Sequence, residues 1–187
     1  MSSILKQTLL LLNNIFSCKN QDKIYSEINK FDLARYQGKW YEIARFKNPF
    51  QNKCLKNVTA EYQLLDNGMI KVVNQSERKN GKMNTAEGLA RIQDQNDSSK
   101  FEVSFFDILG WRPVWGDYWI LYIDPEYSLS VVGDRKSQYA WVLSRNSVLT
   151  QSELKKAKLI LDKNGYDSKE LLITLHDTYI KKKEASI

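Results

Sequence analysis

The sequence predicts an all-β fold: an eight-stranded up-and-down antiparallel barrel with one C-terminal α-helix packed outside. Three observations carry this reading. Between Gly38 and Arg145 the chain falls into eight segments of period-2 alternation, separated by turn signals at even spacing. Aromatic residues make up 12% of the 187 residues, with 5 Trp and 10 Tyr, a supply that suits strands and apolar pockets alike. After the last alternating segment stands one amphipathic helix whose start is marked by Thr150 and Glu153.

The first strand is Gly38-Lys39-Trp40-Tyr41-Glu42-Ile43-Ala44-Arg45, in which Trp40, Glu42 and Ala44 share one face and Tyr41, Ile43 and Arg45 the other. Gly38 lets the chain bend and lets another group approach its backbone. The next stretch, 46–57, lacks alternation and holds Pro49, so it reads as a long loop. Val58, Ala60, Tyr62 and Leu64 alternate, Asp66-Asn67-Gly68 turns the chain into strand 69–77, and Asn80-Gly81 makes a second turn. Ala86, Gly88, Ala90 and Ile92 then share a face. Small inward residues leave volume unfilled, which keeps a cavity in a barrel; Gly88 reads equally well as a bulge.

A turn is expected over 95–99, followed by alternating Phe101, Val103 and Phe105. Loop 106–116 holds Trp111 and Trp115 among Gly and Pro, and so apolar a loop should cap the barrel, touch ligand, touch membrane or dock a partner. Strand 117–124 is apolar on both faces, with Trp119, Leu121 and Ile123 on one and Tyr118, Ile120 and Tyr122 on the other. Asp124-Pro125-Glu126 turns into 127–133, and the last strand runs from Gln138 to Arg145. In the helix, Leu154, Ala157 and Leu161 form the stripe that should bury against the barrel, with Ile43 a candidate partner, and Asn164-Gly165 ends it. Residues 171–175 are a candidate edge strand.

Composition narrows the function. The formal net charge of +6 invites anionic partners, but the lysines are spread over turns and helix and no nucleic-acid motif occurs, so no nucleic-acid partner is expected. The cysteines, Cys18 and Cys54, form no Cys-x-x-Cys, and His176 is the single histidine, so neither a metal site nor a cofactor is expected. No Gly-x-Ser-x-Gly occurs. Glu42 and Glu61 are the one carboxylate pair worth weighing as acid and base, and adjacent strands supply such pairs by chance. The chain is read as a binding protein rather than an enzyme.

Residues 1–18 have the outline of a lipoprotein signal peptide: Lys6, a short apolar stretch, then a small residue before Cys18. The stretch is too short to span a bilayer, which takes ~20 residues. Asn13, Asn14 and Phe16 fit that outline poorly, and the competing reading is an amphipathic or disordered leader on a soluble periplasmic or cytoplasmic protein. With Cys18 as the acylated residue, 19–30 is a tether, 31–178 the barrel domain and 179–187 a polar tail.

Four stretches, taken in order, resemble the lipocalin family: Gly38-Lys39-Trp40-Tyr41-Glu42-Ile43-Ala44-Arg45-Phe46, Val58-Thr59-Ala60-Glu61-Tyr62, Phe101-Glu102-Val103-Ser104-Phe105-Phe106 and Tyr139-Ala140-Trp141-Val142-Leu143-Ser144-Arg145. The likeness covers about 31–175 and is greatest to the bacterial outer-membrane, apolipoprotein D-like branch. It implies a barrel that stores or transports a small hydrophobic ligand, a fatty acid such as palmitate or a lysophospholipid, in envelope lipid maintenance. It implies a lipid anchor on Cys18 in the outer membrane, facing the periplasm, since Lys19 and not aspartate follows the cysteine. It also implies that Arg145 lies over Trp40 beside Gly38 at the closed end, as a structural motif. A homodimer is a further candidate assembly. Cys54 stands where relatives carry a cysteine bridged to a C-terminal partner that this chain lacks; it is read as a free thiol, and a Cys18–Cys54 bridge is open only without acylation.

The ligand is expected to touch Ala44, Phe46, Ala60, Tyr62, Val72, Gly88, Ala90, Val103, Phe105, Trp119, Leu121 and Trp141, with Trp115 and Arg112 at the mouth. For the strands from 119 onward the inward face is not decided by pattern, because both faces are apolar. Lys53, Lys56, Arg78, Lys82 and Arg112 are the cations near the mouth. Arg112, set between Trp111, Pro113 and Trp115, is best placed to grip an anionic headgroup, and the equal alternative is that it merely stacks on a neighbouring tryptophan at the rim.

Overall fold

In the computed structural model, which describes residues 31–51, 56–94 and 96–178, strand β1 (Gly38–Arg45) is where the barrel closes on itself. Round from it come β2 (Lys56–Leu64), β3 (Ile70–Glu77), β4 (Met83–Asp94), β5 (Asp97–Ser104), β6 (Gly116–Ile123), β7 (Leu129–Gly133) and β8 (Ala140–Ser144). Each strand pairs antiparallel with the next, and β1 pairs with both β2 and β8, so the eight strands form a closed barrel. At Ala44 and Arg45, past the last β1–β2 pair, a short β9 (Leu172–Ile173) bonds to β1, and Leu175 then bridges to Lys56. The candidate edge strand therefore seals a seam of the barrel at the end where β1 and β2 part.

The candidate signal segment 1–18, the tether 19–30, the tail 179–187 and residues Cys18, Lys53 and Cys54 lie outside the described residues. The turn expected over 95–99 is shorter than its composition implied, for β5 already begins at Asp97 and Asp94 pairs with Asp97. Ser99 sits buried in that strand because the Asp97 carboxylate accepts from both its N–H and its hydroxyl.

Two bulges decide which side chains face inward. In β1 the register against β8 slips between Glu42 and Ala44, and in β6 the register against β7 slips between Ile120 and Tyr122. An extra residue in one strand reverses the alternation beyond it. Trp40 and Glu42 point in, but Ile43 and Ala44 both belong to the outer apolar layer; Tyr118 and Ile120 point in, while Trp119, Leu121 and Tyr122 point out.

That outer layer lies under helix α1 (Gln151–Lys163), where Ala157 and Leu161 are fully buried and Leu154 is half-buried against Ile43, Leu121, Val131 and Val142. The helix begins with the expected capping box: the Thr150 hydroxyl accepts from the Glu153 N–H, and the Glu153 carboxylate accepts from the Thr150 N–H. Just beyond the helix the Tyr166 hydroxyl accepts from the Asp134 N–H and donates to the Asp134 carbonyl, each at 2.8 Å. Only glycine fits at 133, since a Cβ there would lie 2.0 Å from that hydroxyl oxygen.

Candidate functional site

The two ends of the barrel differ. At the end carrying the 65–69 and 124–128 turns, a short helical turn (Leu33–Tyr36), capped by the Asp32 side chain, covers the opening. Beneath it Phe31, Tyr36, Trp40, Phe101 and Tyr127 pack as a cluster of rings. Arg145 locks this end from outside: Nη1 donates to the Lys39 carbonyl at 2.7 Å, and Nη2 donates to the Arg35 and Gln37 carbonyls at 2.9 and 2.8 Å. Its guanidinium carbon stands 3.9 Å from the centroid of Trp40, whose indole N–H donates to the Tyr36 carbonyl. Gly38 adopts φ +87°, a left-handed conformation, and its α-carbon faces the Arg145 guanidinium.

Above that floor lies a cavity of about 640 Å³ that opens between loops 46–51, 78–82, 105–115 and 134–139. Ala60, Val72, Ala90, Val103, Ile70 and Leu143 form its apolar wall. Three phenols cross the interior: the Tyr118 hydroxyl lies 2.6 Å from that of Tyr62 and 3.0 Å from that of Tyr36, and the Tyr36 hydroxyl reaches Ser130 at 3.4 Å. Burial is the largest influence on all three. It pushes Tyr36 up to about 12, against the lowering hydrogen bonds from Ser130 and Tyr118, and raises Tyr62 and Tyr118 well above the usual phenol value. They therefore stay neutral at physiological pH and act only as hydrogen-bonding groups.

Nearer the mouth the lining turns polar and mainly uncharged: Asn48, Gln51, Asn74, Gln75, Asn84 and Gln138. The Gln51 amide is the hub. Its oxygen accepts from the Trp141 indole N–H at 3.0 Å and from the Asn48 amide at 2.7 Å, and its nitrogen donates to the Glu42 carboxylate at 2.6 Å. Glu42, itself buried, is neutralised by Arg45 at 2.7 Å and accepts from the Thr174 hydroxyl at 2.5 Å. Through Gln51 the loop after β1 is tied both to the wall and, by way of Thr174, to the segment carrying β9. The His176 ring, also buried, bonds to the Glu42 carbonyl at 2.9 Å and is part of the same seam.

Of the residues expected at the ligand, Ala60, Tyr62, Val72, Ala90, Val103, Phe105, Trp115 and Trp141 line the cavity. Ala44, Phe46, Trp119 and Leu121 do not. Ala44 is turned outward by the β1 bulge, Leu121 shares the outer face with Trp119 by plain alternation, Phe46 packs edge-on against Tyr166 at 5.7 Å, and the Trp119 indole donates to the Gln93 side chain on the barrel's outside. Gly88 is covered: a Cβ there would lie 2.7 Å from the Phe105 ring, so the glycine makes room for that ring and leaves no open space of its own. Arg112 is spent inside its loop, donating to the Ser104 carbonyl at 2.9 Å and pairing with Asp107 at 3.3 Å, and it is absent from the lining. The stacking alternative is not seen: Arg91, not Arg112, lies over the Trp115 ring at 4.2 Å. Of the other cations near the mouth, Lys56 is held by Asp177 and Glu77, and Arg78 bonds Asn84. Glu61 points outward and is exposed, away from Glu42.

Sequence reasoning missed Tyr36, Tyr118, Glu42, Asn48 and Gln51 as lining residues. Tyr118 carried a usable signal, a residue of one face on a strand apolar on both. Tyr36 lies ahead of the first strand and Gln51 in an irregular loop, where no periodicity exists to place them.

The comparisons with known proteins agree with this architecture. The family described as a lipocalin-like domain matches residues 31–176. Temperature-induced lipocalin-1 of Arabidopsis thaliana is 37% identical over 147 residues, covering 77% of this chain and 78% of that protein. The outer membrane lipoprotein Blc of Vibrio cholerae is 33% identical over 166 residues, covering 87% of this chain and 91% of that one. Among solved structures, lobster apocrustacyanin A1 superposes with a TM-score of 0.64 over 83% of this chain and 85% of its own, at 17% identity, a likeness of fold.

Proposed function

The chain belongs to the lipocalin family, whose members bind hydrophobic ligands, and from that premise we propose that it carries a fatty acid or a lysophospholipid in the barrel. The observation that supports this most is the cavity itself. At about 640 Å³ it falls within the range of roughly 300 to 1,000 Å³ usual for small-ligand pockets, apolar below and amide-lined above. An acyl chain lies against Ala60, Val72, Ala90 and Val103, and the polar end meets the amides of Gln51 and Gln138 near the rim. A buried ester or carboxyl oxygen needs donors, and these side chains supply them.

The place of action in this reading is the bacterial outer membrane, with a lipid anchor on Cys18 and the barrel in the periplasm. The N-terminal sequence pattern and the likeness to a protein named an outer membrane lipoprotein support it. The role is carriage without turnover. The buried carboxylates in the lining are committed, Glu42 to Arg45, Thr174 and Gln51 and Asp134 to the N–H groups of Lys136, Gln138 and Tyr139, and the phenols are held neutral.

Native mass spectrometry of the protein extracted from its own cells tests the reading. The expected result is a fatty acid or lysophospholipid bound one to one, on a chain that begins at an acylated Cys18. Recovery of a ligand without an acyl chain, or release of a cleaved product from added lysophospholipid, overturns it.

A further inference from the structure

The rim of the cavity is unusually apolar on its outside. Loop 105–115 is a small hairpin, closed by a bridge between Ile108 and Trp111, with Leu109 and Gly110 at its tip in left-handed conformations of φ 52° and 86°. Leu109 is fully exposed, at 103%, and Trp111 is 65% exposed. Phe106, Ile108 and Val114 are exposed with them, and Met83 is exposed at the start of β4, next to the 78–82 connection. Scattered apolar residues on a surface need no explanation, but a cluster gathered on one projecting loop does. The loop is held in shape: Arg112 donates to the Ser104 carbonyl, the Trp115 indole to the Arg112 carbonyl, and the Gly110 N–H to the Asp107 carboxylate.

The same end of the barrel is positively charged. Lys47, Arg78, Lys79, Lys82, Arg135 and Lys136 are exposed on three of the four connections around the mouth, those other than 105–115. The carboxylates there are occupied: Asp107 by Arg112, Asp117 by Arg135, and Asp134 by the N–H groups of Lys136, Gln138 and Tyr139. A second copy docked mouth to mouth sets this rim against an identical positive one, which like-charge repulsion opposes. A surface that takes apolar side chains and offers negative charge fits it.

We propose that the mouth of the barrel docks directly on an anionic lipid bilayer, with Leu109 and Trp111 entering the acyl boundary and the surrounding lysines and arginines resting on the headgroups. This contact is separate from any anchor on Cys18 and does not depend on the identity of the cavity ligand. Its consequence is that the cavity opens against the membrane, so an acyl chain passes between bilayer and barrel without crossing water.

The test is cosedimentation of the full chain, produced by cell-free translation so that Cys18 carries no lipid, with vesicles of phosphatidylcholine alone or with phosphatidylglycerol added. The expected result is strong preference for the phosphatidylglycerol vesicles, lost as salt rises from 0.1 M toward 1 M and the Debye length shrinks from about 10 to about 3 Å. Leu109→Asp combined with Trp111→Ser should weaken binding about tenfold or more, since the first change puts a charge where an apolar tip is needed. Lys79→Glu combined with Lys82→Glu should weaken it at least about 25-fold, from roughly fivefold per cation removed. None of these residues lines the cavity, so melting temperature and uptake of a fluorescent fatty acid from solution should stay at the wild-type values. Equal partition of wild type and variants, no preference for phosphatidylglycerol, or a wild type that ignores vesicles and forms a dimer broken by Leu109→Asp each overturns the proposal. A protein that docks but takes up no fatty acid breaks the ligand reading alone, and one that takes up fatty acid but ignores vesicles breaks this one alone.

Discussion

The Arg145 guanidinium lies 3.9 Å from the centroid of the Trp40 ring and, from the same position, donates to the carbonyls of Arg35, Gln37 and Lys39. One planar cation thus ties the chain before β1 to the end of β8 across the closed end of the barrel. Trp40→Ala should lower unfolding free energy by about 3 to 5 kcal/mol through lost packing. Arg145→Lys should cost about 2 kcal/mol, because an ammonium satisfies fewer of those carbonyls and stacks less well on the indole. Neither residue lines the cavity, so the affinity of the folded fraction should not change. Urea unfolding with and without fatty acid checks both; wild-type midpoints in both variants would dismiss the lock.

Ala90 and Leu121 separate the inside of the barrel from its outside. Ala90→Phe should stop fatty-acid uptake while the protein stays folded, since the added ring enters the cavity between Ile70 and Val103. Leu121→Ala should cost about 2 to 5 kcal/mol of stability under α1 and leave ligand affinity unchanged. Calorimetry of binding and of unfolding on the two variants reads the contrast; a weakened affinity in folded Leu121→Ala would put that side chain back inside.

Arg112→Gln should weaken a fatty acid and a neutral long-chain alcohol by the same small factor, because the guanidinium serves Ser104 and Asp107 rather than the ligand. Competition with a fluorescent lipid measures both. A loss confined to the charged ligand would show that the arginine leaves its loop when an anion binds.

The buried phenols set an alkaline limit. Tyr36, Tyr62 and Tyr118 are raised in the folded protein above the ordinary value near 10, Tyr36 to about 12, while in the unfolded chain they ionise near that ordinary value. Above it the unfolded state binds fewer protons than the folded one, so stability is full below pH 10 and falls as pH rises toward 12 and beyond. Tyr36 alone accounts for about 3 kcal/mol over that interval. Ultraviolet phenolate absorbance should show exposed tyrosines titrating first and these three only with unfolding. A smooth titration of every tyrosine near the ordinary value, with the fold intact, would mean that water reaches them.

By itself the sequence determined the barrel, its strand order and its capped outer helix, because each rests on local pattern: period-2 alternation, Asn-Gly turns, a Thr-x-x-Glu cap; the Trp40–Arg145 lock was implied by the likeness to the lipocalins and not by pattern. Where one face of a strand is plainly more polar, as in β2 and β5, alternation also decided which residues face inward, and Ala60, Tyr62 and Val103 line the cavity. Only the tertiary structure decided the faces of β1 and β6. A bulge is a property of two paired strands, one residue opposing none, and no single strand's pattern records it; so Ala44 turned out although Glu42 points in, Tyr122 turned out although Ile120 points in, and on a strand apolar on both faces only the packing under the helix put Trp119 and Leu121 outside. The same holds for Gly88, whose open face is filled by Phe105, and for Arg112, whose guanidinium is turned to the Ser104 carbonyl at the end of β5 and to the Asp107 carboxylate. Which group fills a space or satisfies a charge is settled by whatever the fold brings within about 3 Å, and that distance is set by chain segments far apart in sequence, as when Gln51 meets Trp141 across the mouth.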